Sequence, residues 1–190
     1  YTAGCGHSFT TTDKLPDFLQ EDIDLVNGPT GNLTGMYRIV KDGAGYLAKN
    51  NFAFVASADE WFSPIQAEVG PDGHIWIADW YNFIIQHNPT PSSQRGGYDA
   101  KNGKGNAHIN PNRDRQHGRI YKVVWKGAKQ DEMPTLKNAG VRKLVRFLGH
   151  SNQFWRLKAQ EILTSKRKLN TAQIKKLKNM VMQNKPSAVH

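Results

Sequence analysis

Residues Asp59 to His87 have the sequence D-E-W-F-S-P-I-Q-A-E-V-G-P-D-G-H-I-W-I-A-D-W-Y-N-F-I-I-Q-H, and their centre predicts a β-hairpin. Pro64 to Val69 alternates apolar and polar residues, which is the pattern of a strand. Gly70 to Gly73 (G-P-D-G) predicts a turn, because proline presets φ at the second turn position and glycine tolerates positive φ. His74 to Trp80 is then the predicted returning strand.

The returning strand has two mostly apolar faces. One carries Ile75, Ile77 and Asp79, and the other carries Trp76, Ala78 and Trp80. We therefore expect both faces of the strand to be covered by other parts of the protein. Asp79 is the exception, because a buried carboxylate needs a charged partner, a hydrogen-bond network or a metal ion.

Composition limits the classes of protein to which the chain can belong. Its 190 residues are 38% hydrophobic, enough for one large or two small domains. No stretch approaches the roughly 18 apolar residues of a membrane span, so we expect no transmembrane segment. The single cysteine, Cys5, excludes an internal disulfide, a cysteine-rich zinc site and a C-x-x-C-H haem attachment site. Because the sequence starts at Tyr1 without a signal peptide, we expect a piece of a longer protein.

The net charge of +10 is concentrated in the last third of the chain. Residues 1–136 contain 13 Lys or Arg and 15 Asp or Glu, whereas residues 137–190 contain 13 Lys or Arg and one acid, Glu161. The two parts therefore differ strongly in net charge, and we place the domain boundary between Leu136 and Lys137.

Several further short strands are predicted before this boundary. They are Gly35 to Lys41, Asn51 to Ser57, Phe83 to His87 and Ile120 to Trp125, with a hairpin signal at Asp42-Gly43. Tyr1 to Thr12 is predicted as an irregular loop, and Asp13 to Val26 as a short helix or an acidic loop. Short antiparallel strands with turns between them are typical of sandwiches, barrels and propellers.

After Asn138 the apolar residues recur at a helical period. The first predicted helix ends at Gly149, the second starts at Ser151 or Asn152, and the third starts at Asn170 or Thr171. Successive short helices predict a helical repeat array, in which one repeat cannot bury its apolar face alone.

Four motifs together carry a resemblance to a known family. They are D-E-W-F-S-P-I-Q-A-E-V-G-P-D-G-H-I-W-I-A-D-W-Y-N, I-I-Q-H-N-P-T-P, R-D-R-Q-H-G-R-I-Y-K-V-V, and the helical run from Leu144 to Leu163. This sequence resembles the bacterial membrane-bound dehydrogenases related to the quinoprotein glucose and sorbosone dehydrogenases. The similarity extends from Met36 to about Leu163.

The resemblance implies a β-propeller followed by HEAT-type repeats and often by a c-type haem domain. A propeller needs at least four blades, and 136 residues supply only two or three. The expected fold is therefore the C-terminal blades of a propeller in residues 1–136, followed by the start of an α-helical repeat array in residues 137–190.

The resemblance also implies a chemistry and a set of site residues. Quinone-dependent oxidation of a sugar needs a base, cations near the quinone, and usually Ca²⁺. The implied assignments are catalytic His87, His117 and Asp114; cofactor-binding Arg113, Arg115 and Arg119; sugar-stacking Trp61, Trp80 and Tyr81; and metal-binding Asp79. The implied cofactors are pyrroloquinoline quinone and Ca²⁺, with haem c on a missing domain or partner.

Each of these residues also has a structural interpretation. His87 precedes Asn88-Pro89 and would shape a loop, and Arg113, Asp114 and Arg115 would form a local ion-pair cluster. Asp79 would accept hydrogen bonds from the backbone amides of a neighbouring blade. The three aromatic residues would belong to a core.

The resulting functional prediction is part of an extracytoplasmic or periplasmic, membrane-associated oxidoreductase acting on a sugar or another hydroxyl compound. Its partners would be the remaining propeller blades or further chains, and a cytochrome c that accepts electrons. The alternative is a non-catalytic propeller–HEAT scaffold that binds carbohydrate or protein. The basic residues 137–190 would suit anionic surfaces, but no nucleic-acid-binding motif accompanies them, so we do not expect nucleic-acid binding.

Overall fold

The computed structural model describes residues 4–20, 22–85, 92–96, 99–101, 103, 109–110, 112–129, 132–165 and 169–183. Within these ranges the chain forms seven β-strands and three α-helices, together with three single-turn 3-10 helices. The strands are β1 (Cys5–Phe9), β2 (Ile23–Gly28), β3 (Leu33–Asp42), β4 (Gly45–Ala56), β5 (Pro64–Val69), β6 (Ile75–Asp79) and β7 (Arg119–Val123). The helices are α1 (Val141–Phe147), α2 (Gln153–Ser165) and α3 (Thr171–Met182).

The first sheet is an antiparallel meander of four strands in the order β1-β2-β3-β4. Asp42 pairs with Gly45 at the end of the β3–β4 ladder, and Gly43 has a φ of 55°. The hairpin predicted at Asp42-Gly43 is therefore confirmed. Strand β4 starts at Gly45, six residues before the predicted start at Asn51.

The strands β1 and β2 were not predicted. Gly6 lies in β1 with a φ of 58°, and an added Cβ would lie 2.1 Å from the carbonyl oxygen of Ile65. Asn27 of β2 donates from Nδ2 to the Gly6 carbonyl at 2.7 Å. Glycine at this position therefore allows β1 to approach β5 closely. The prediction of an irregular loop from Tyr1 to Thr12 did not include this strand.

The second sheet has the order β5-β6-β7. The predicted hairpin is confirmed, with β5 at its predicted bounds and the Gly70 amide donating to the His74 carbonyl at 2.8 Å. The strand predicted from Phe83 to His87 is wrong for Phe83 to Ile85, which are not in a strand. Gln86 and His87 lie outside the described residues.

The two faces of β6 differ in exposure. Ile75, Ile77 and Asp79 are buried, whereas Trp76 and Trp80 are 38% and 41% exposed. The prediction that both faces of this strand are covered is therefore wrong. Apolar composition on a face shows that burial is favourable there, but it does not provide an element to cover that face.

The three helices share one hydrophobic cluster. Its buried members are Leu136, Ala139, Leu144, Val145, Phe147, Trp155, Ala159 and Leu163, and Leu177 and Met180 of α3 pack against it. Asn170 caps α3, since its side chain accepts from the Gln173 amide while the Gln173 side chain accepts from the Asn170 amide. The three predicted helices are confirmed, with boundaries close to those expected.

The chain divides into two compact units, each built from several segments. The first comprises residues 1–9, 22–68 and 76–122, and the second comprises residues 10–21, 69–75 and 123–190. The domain boundary between Leu136 and Lys137 stays a prediction.

The predicted fold of propeller blades followed by HEAT-like repeats is wrong. Among the described residues there are two small antiparallel sheets, of four and three strands, neither of which is closed, and three helices. A HEAT-type array is not established either, because α1 has only seven residues. The sequence correctly indicated local hairpins and helices, but hairpin signals occur in every antiparallel architecture and do not distinguish a propeller from small open sheets.

Candidate functional site

Asp79 lies at the centre of the candidate site. The alternation of β6 places it on the buried face with Ile75 and Ile77, and its side chain has no solvent exposure. Its Oδ1 accepts hydrogen bonds from the backbone amides of Ser63 at 2.8 Å and Tyr81 at 2.9 Å. The structural role expected for Asp79 is therefore present, with amides of the same unit as donors.

Arg119 of β7 provides the charged partner that a buried carboxylate needs. Its Nε donates to Asp79 Oδ2 at 2.6 Å, and its Nη1 donates to Asp59 Oδ2 at 2.8 Å. Burial lowers the pKa of Arg119, but the hydrogen bonds to Asp59 and Asp79 outweigh this and raise it. The hydrogen bond from Arg119 lowers the pKa of Asp59, with a further contribution from the Trp61 amide. Both carboxylates thus use the same guanidinium.

Aromatic rings surround this ion-pair network. The rings of Trp61 and Tyr81 stack at 5.3 Å with an interplanar angle of 28°, and Phe83 lies 6.1 Å from Trp61. We call Trp61, Tyr81 and Phe83 the aromatic ledge. The Arg119 guanidinium lies 4.4 Å from the centre of the Tyr81 ring, a cation–π distance. Trp61 and Tyr81 are both half-buried, and Phe83 is the most exposed ring of the ledge, at 41%.

Ser63 and Asn82 connect the ledge to the loop before β7. Ser63 Oγ donates to the Asn82 carbonyl, and Asn82 Nδ2 donates to the Asp114 carbonyl at 2.9 Å. Both residues are buried. This connection fixes Asp114, 32 residues away in sequence, beside the ledge.

Asp114 and His117 form a hydrogen-bonded pair at the edge of the ledge. His117 Nδ1 lies 2.6 Å from Asp114 Oδ2, and the His117 ring contacts Tyr81 edge-on at 6.3 Å. The Gln116 amide, followed by the His117 side chain, lowers the pKa of Asp114. The His117 side chain is 69% exposed. A carboxylate on one ring nitrogen orients the imidazole and fixes the position of its other nitrogen.

The structure therefore brings together six of the residues proposed from sequence: Asp79, Arg119, Trp61, Tyr81, Asp114 and His117. Trp80 directly follows β6 and is 41% exposed, and its ring is not one of the contacting rings of the ledge. Arg113 is half-buried and Arg115 is exposed on the loop that carries Asp114. His87 lies outside the described residues, so its catalytic role stays a prediction.

Sequence reasoning missed Asp59, Ser63, Asn82 and Phe83. Asp59 and Ser63 flank Trp61 in the sequence D-E-W-F-S, and Asn82 and Phe83 follow Tyr81 in W-Y-N-F. Polar residues close to Trp61 and Tyr81 were the available signal for Asp59, Ser63 and Asn82, whereas Phe83 was assigned to a predicted strand.

The described residues do not fit the quinone and Ca²⁺ implied by the resemblance. Both Asp79 oxygens accept from N–H donors, which leaves a poor metal ligand, and Arg119 is paired with two carboxylates instead of being available to a quinone. Among the described residues no group of three or more His, Cys, Asp or Glu side chains is placed to hold a metal ion. The assignments of a cofactor and of metal-binding Asp79 stay predictions, and no chemical step is derived through them.

A cleft of about 360 Å³ adjoins the ledge within the first unit. Its described lining residues are Pro29, Thr30, Asn32, Glu60, Phe83, Ile84 and Ile85. Phe83 belongs to both the ledge and the cleft, so the two surfaces are continuous. Clefts of about 300–1,000 Å³ are the usual size for small-molecule sites.

Comparison with family models gives a match over most of the chain. The model of the family described as Domain of unknown function (DUF7133) matches residues 1–127. The chain belongs to this family. The matched residues include both β-sheets, the ledge and the cleft. No curated protein and no solved structure matches the chain.

The description of the DUF7133 family names no activity, so the resemblance to dehydrogenases stays a prediction. The sequence also predicted that the chain has no transmembrane segment. In the part of the chain that is described, none of the helices has the length and apolar character needed to cross a bilayer.

Proposed function

We propose that this DUF7133 protein binds a carbohydrate at the aromatic ledge. The observation that carries this proposal is the combination of partly exposed rings with fixed polar groups around them. The less polar face of a sugar ring packs on Trp61 and Phe83, and its hydroxyls meet Asp59 and the Asp114–His117 pair.

The fixed geometry of these polar groups supports the proposal. Arg119 holds Asp59, and the Ser63–Asn82 connection holds the loop of Asp114. Groups that are held before the ligand arrives lose little conformational entropy on binding, which favours affinity.

The proposal is tested by isothermal titration calorimetry with a panel of neutral mono- and disaccharides. Trp61→Ala should weaken binding by about tenfold or more, a loss typical of a well-packed aromatic contact. Tyr46→Ala is the matched control, because Tyr46 is 77% exposed on β4 and lies outside the ledge. Equal affinity of Trp61→Ala and the unmodified chain, or no binding by any sugar, would contradict the proposal.

A second candidate is the oxidation of a bound sugar or other hydroxyl compound, in an extracytoplasmic setting with electrons passed to a haem partner. The Asp114–His117 pair favours it, because an oriented imidazole can accept the proton of a substrate hydroxyl while the hydride on the same carbon passes to an added two-electron acceptor, which leaves a carbonyl product. The test is reduction of an artificial electron acceptor in the presence of the sugar that binds. His117→Gln should abolish this reduction while weakening sugar binding by less than about tenfold. An absence of sugar-dependent reduction in the unmodified protein would rule the candidate out.

A further inference from the structure

The cleft beside the ledge has features of a second binding subsite. Its floor is built by the 3-10 turn Pro29–Gly31 and by Asn32, which has a φ of 52°. Asn32 Nδ2 donates to the carbonyls of Phe62 at 2.6 Å and Glu60 at 3.4 Å, and its own carbonyl accepts from the Ser57 amide at 3.0 Å. These bonds tie the Asn32 turn to the backbone of Ser57, Glu60 and Phe62 before any ligand binds.

The charge of the cleft identifies the ligand chemistry. Among its described lining residues, Glu60 alone is charged, and its carboxylate has no hydrogen-bond or ion-pair partner in the described part of the chain. Phe83 adds an aromatic surface that attracts cations. Of the remaining lining residues, Pro29, Ile84 and Ile85 are apolar, and Thr30 and Asn32 are polar and uncharged. This combination suits a small ring that carries one positive charge.

We propose that the cleft binds an amino sugar unit, whose protonated amine pairs with Glu60, next to a second sugar unit on the ledge. This inference rests on the proposed carbohydrate binding and specifies its ligand. Phe83 is shared by the two surfaces, so one oligosaccharide spans both sites, with one ring packed on Trp61 and the next in the cleft.

The experiment compares a glucosamine disaccharide with its N-acetylated, uncharged form by isothermal titration calorimetry. The amine form should bind about tenfold more tightly, as expected for one hydrogen-bonded charge pair. Glu60→Gln should remove this preference by lowering the affinity for the amine form to about that for the uncharged form. Asp42→Asn is the matched control, because it also removes one exposed carboxylate but lies at the β3–β4 turn.

The outcomes separate the two proposals. Equal affinity for both disaccharides, or a preference that persists in Glu60→Gln, overturns the amino sugar subsite even if Trp61→Ala weakens the binding of neutral sugars. A preference lost equally in Asp42→Asn also overturns it, since the cause would be general attraction to a negative surface. If neither disaccharide binds the unmodified chain and no neutral sugar does, the carbohydrate proposal itself fails.

Discussion

At Asp79 a single buried carboxylate connects three segments of the chain. It accepts from Ser63 before β5, from Tyr81 after β6 and from Arg119 at the start of β7. The cost of burying the charge is offset by these three donors, one of them cationic. The ledge therefore depends on Asp79 for its geometry, because Trp61 and Tyr81 lie next to the segments that Asp79 holds.

Asp79→Asn tests this role by chemical denaturation. Its Oδ1 can still accept from both amides, but its Nδ2 would face the Arg119 Nε donor, so the free energy of unfolding should fall by about 2–4 kcal/mol. Asp59→Asn is the control, since this carboxylate is exposed and its loss should cost clearly less. Similar stabilities for the two variants would contradict the central role of Asp79.

His150 predicts a pH dependence in the second unit. Its Nδ1 accepts from the Asn152 amide at 3.0 Å, and its ring stacks on Phe147 at 5.2 Å. Burial lowers the pKa of His150, aided by Arg156 and Lys14 and opposed by Asp13. Below the ordinary histidine pKa of about 6.5 the unfolded chain therefore binds more protons than the folded one, so stability should fall as the pH decreases from there.

The measurement for His150 is the melting temperature between about pH 5 and about pH 8, the interval in which histidine titrates. His150→Asn is the control, because its side-chain oxygen can replace Nδ1 as acceptor but does not titrate. The loss of melting temperature at low pH should be smaller in this variant. An identical pH profile for both proteins would show that another group is responsible.

At the scale of single residues, part of the candidate site could be predicted from the sequence. Strand alternation predicted that Asp79 is buried and needs a partner. Trp61, Tyr81 and His117, proposed as site residues from their types, lie together in the structure, and their role in ligand binding stays a prediction. The partner itself was not predictable, because Arg119 lies 40 residues away in sequence and only the pairing of β6 with β7 brings it close.

At the scale of the strand, β6 separates a buried face from an exposed one. Ile77→Ala should lower the free energy of unfolding by about 2–5 kcal/mol, because Ile77 is fully buried and its truncation leaves a cavity. Trp76→Ala, on the exposed face, should cost much less despite removing a larger side chain. Denaturant titrations compare the two, and a Trp76→Ala loss as large as that of Ile77→Ala would restore the prediction that both faces are covered.

Elements with strong local signals were predictable and those without them were not. The hairpin at Gly70 to Gly73 and the three helices follow from turn chemistry and helical periodicity. The strands β1 and β2 were missed because Cys5–Phe9 contains Gly, His and Ser instead of alternating apolar residues, and because the acidic residues before Ile23 suggested a loop. β1 pairs with β2, and β2 pairs with β3, so both strands depend on pairing, a tertiary effect.

For the whole molecule, the uneven charge offers a test of where ligands bind. Neutral sugar binding at the ledge involves no ion release, so its affinity should change by less than about twofold between about 0.05 M and 0.5 M NaCl. Any binding of heparin to the basic residues 137–190 should weaken by at least about tenfold over the same range. Parallel salt dependences would place the sugar on the basic region and contradict the ledge.

The arrangement of sheets was the least predictable property. The same antiparallel hairpins occur in propellers, barrels and small open sheets, and the choice among them depends on contacts between distant segments. The two sheets found here, of four and three strands, could not be derived from the turn at Asp42-Gly43 or from the β5–β6 hairpin alone.

The most direct test of carbohydrate binding follows the indole N–H signals of all five tryptophans by NMR during titration with a sugar. Trp61 should shift progressively and saturate, because the sugar packs on its ring. Trp125 and Trp155, both in the second unit, should stay unchanged. A sugar that binds without shifting Trp61, or that shifts only Trp125 or Trp155, would contradict the assignment of the ledge as the carbohydrate site.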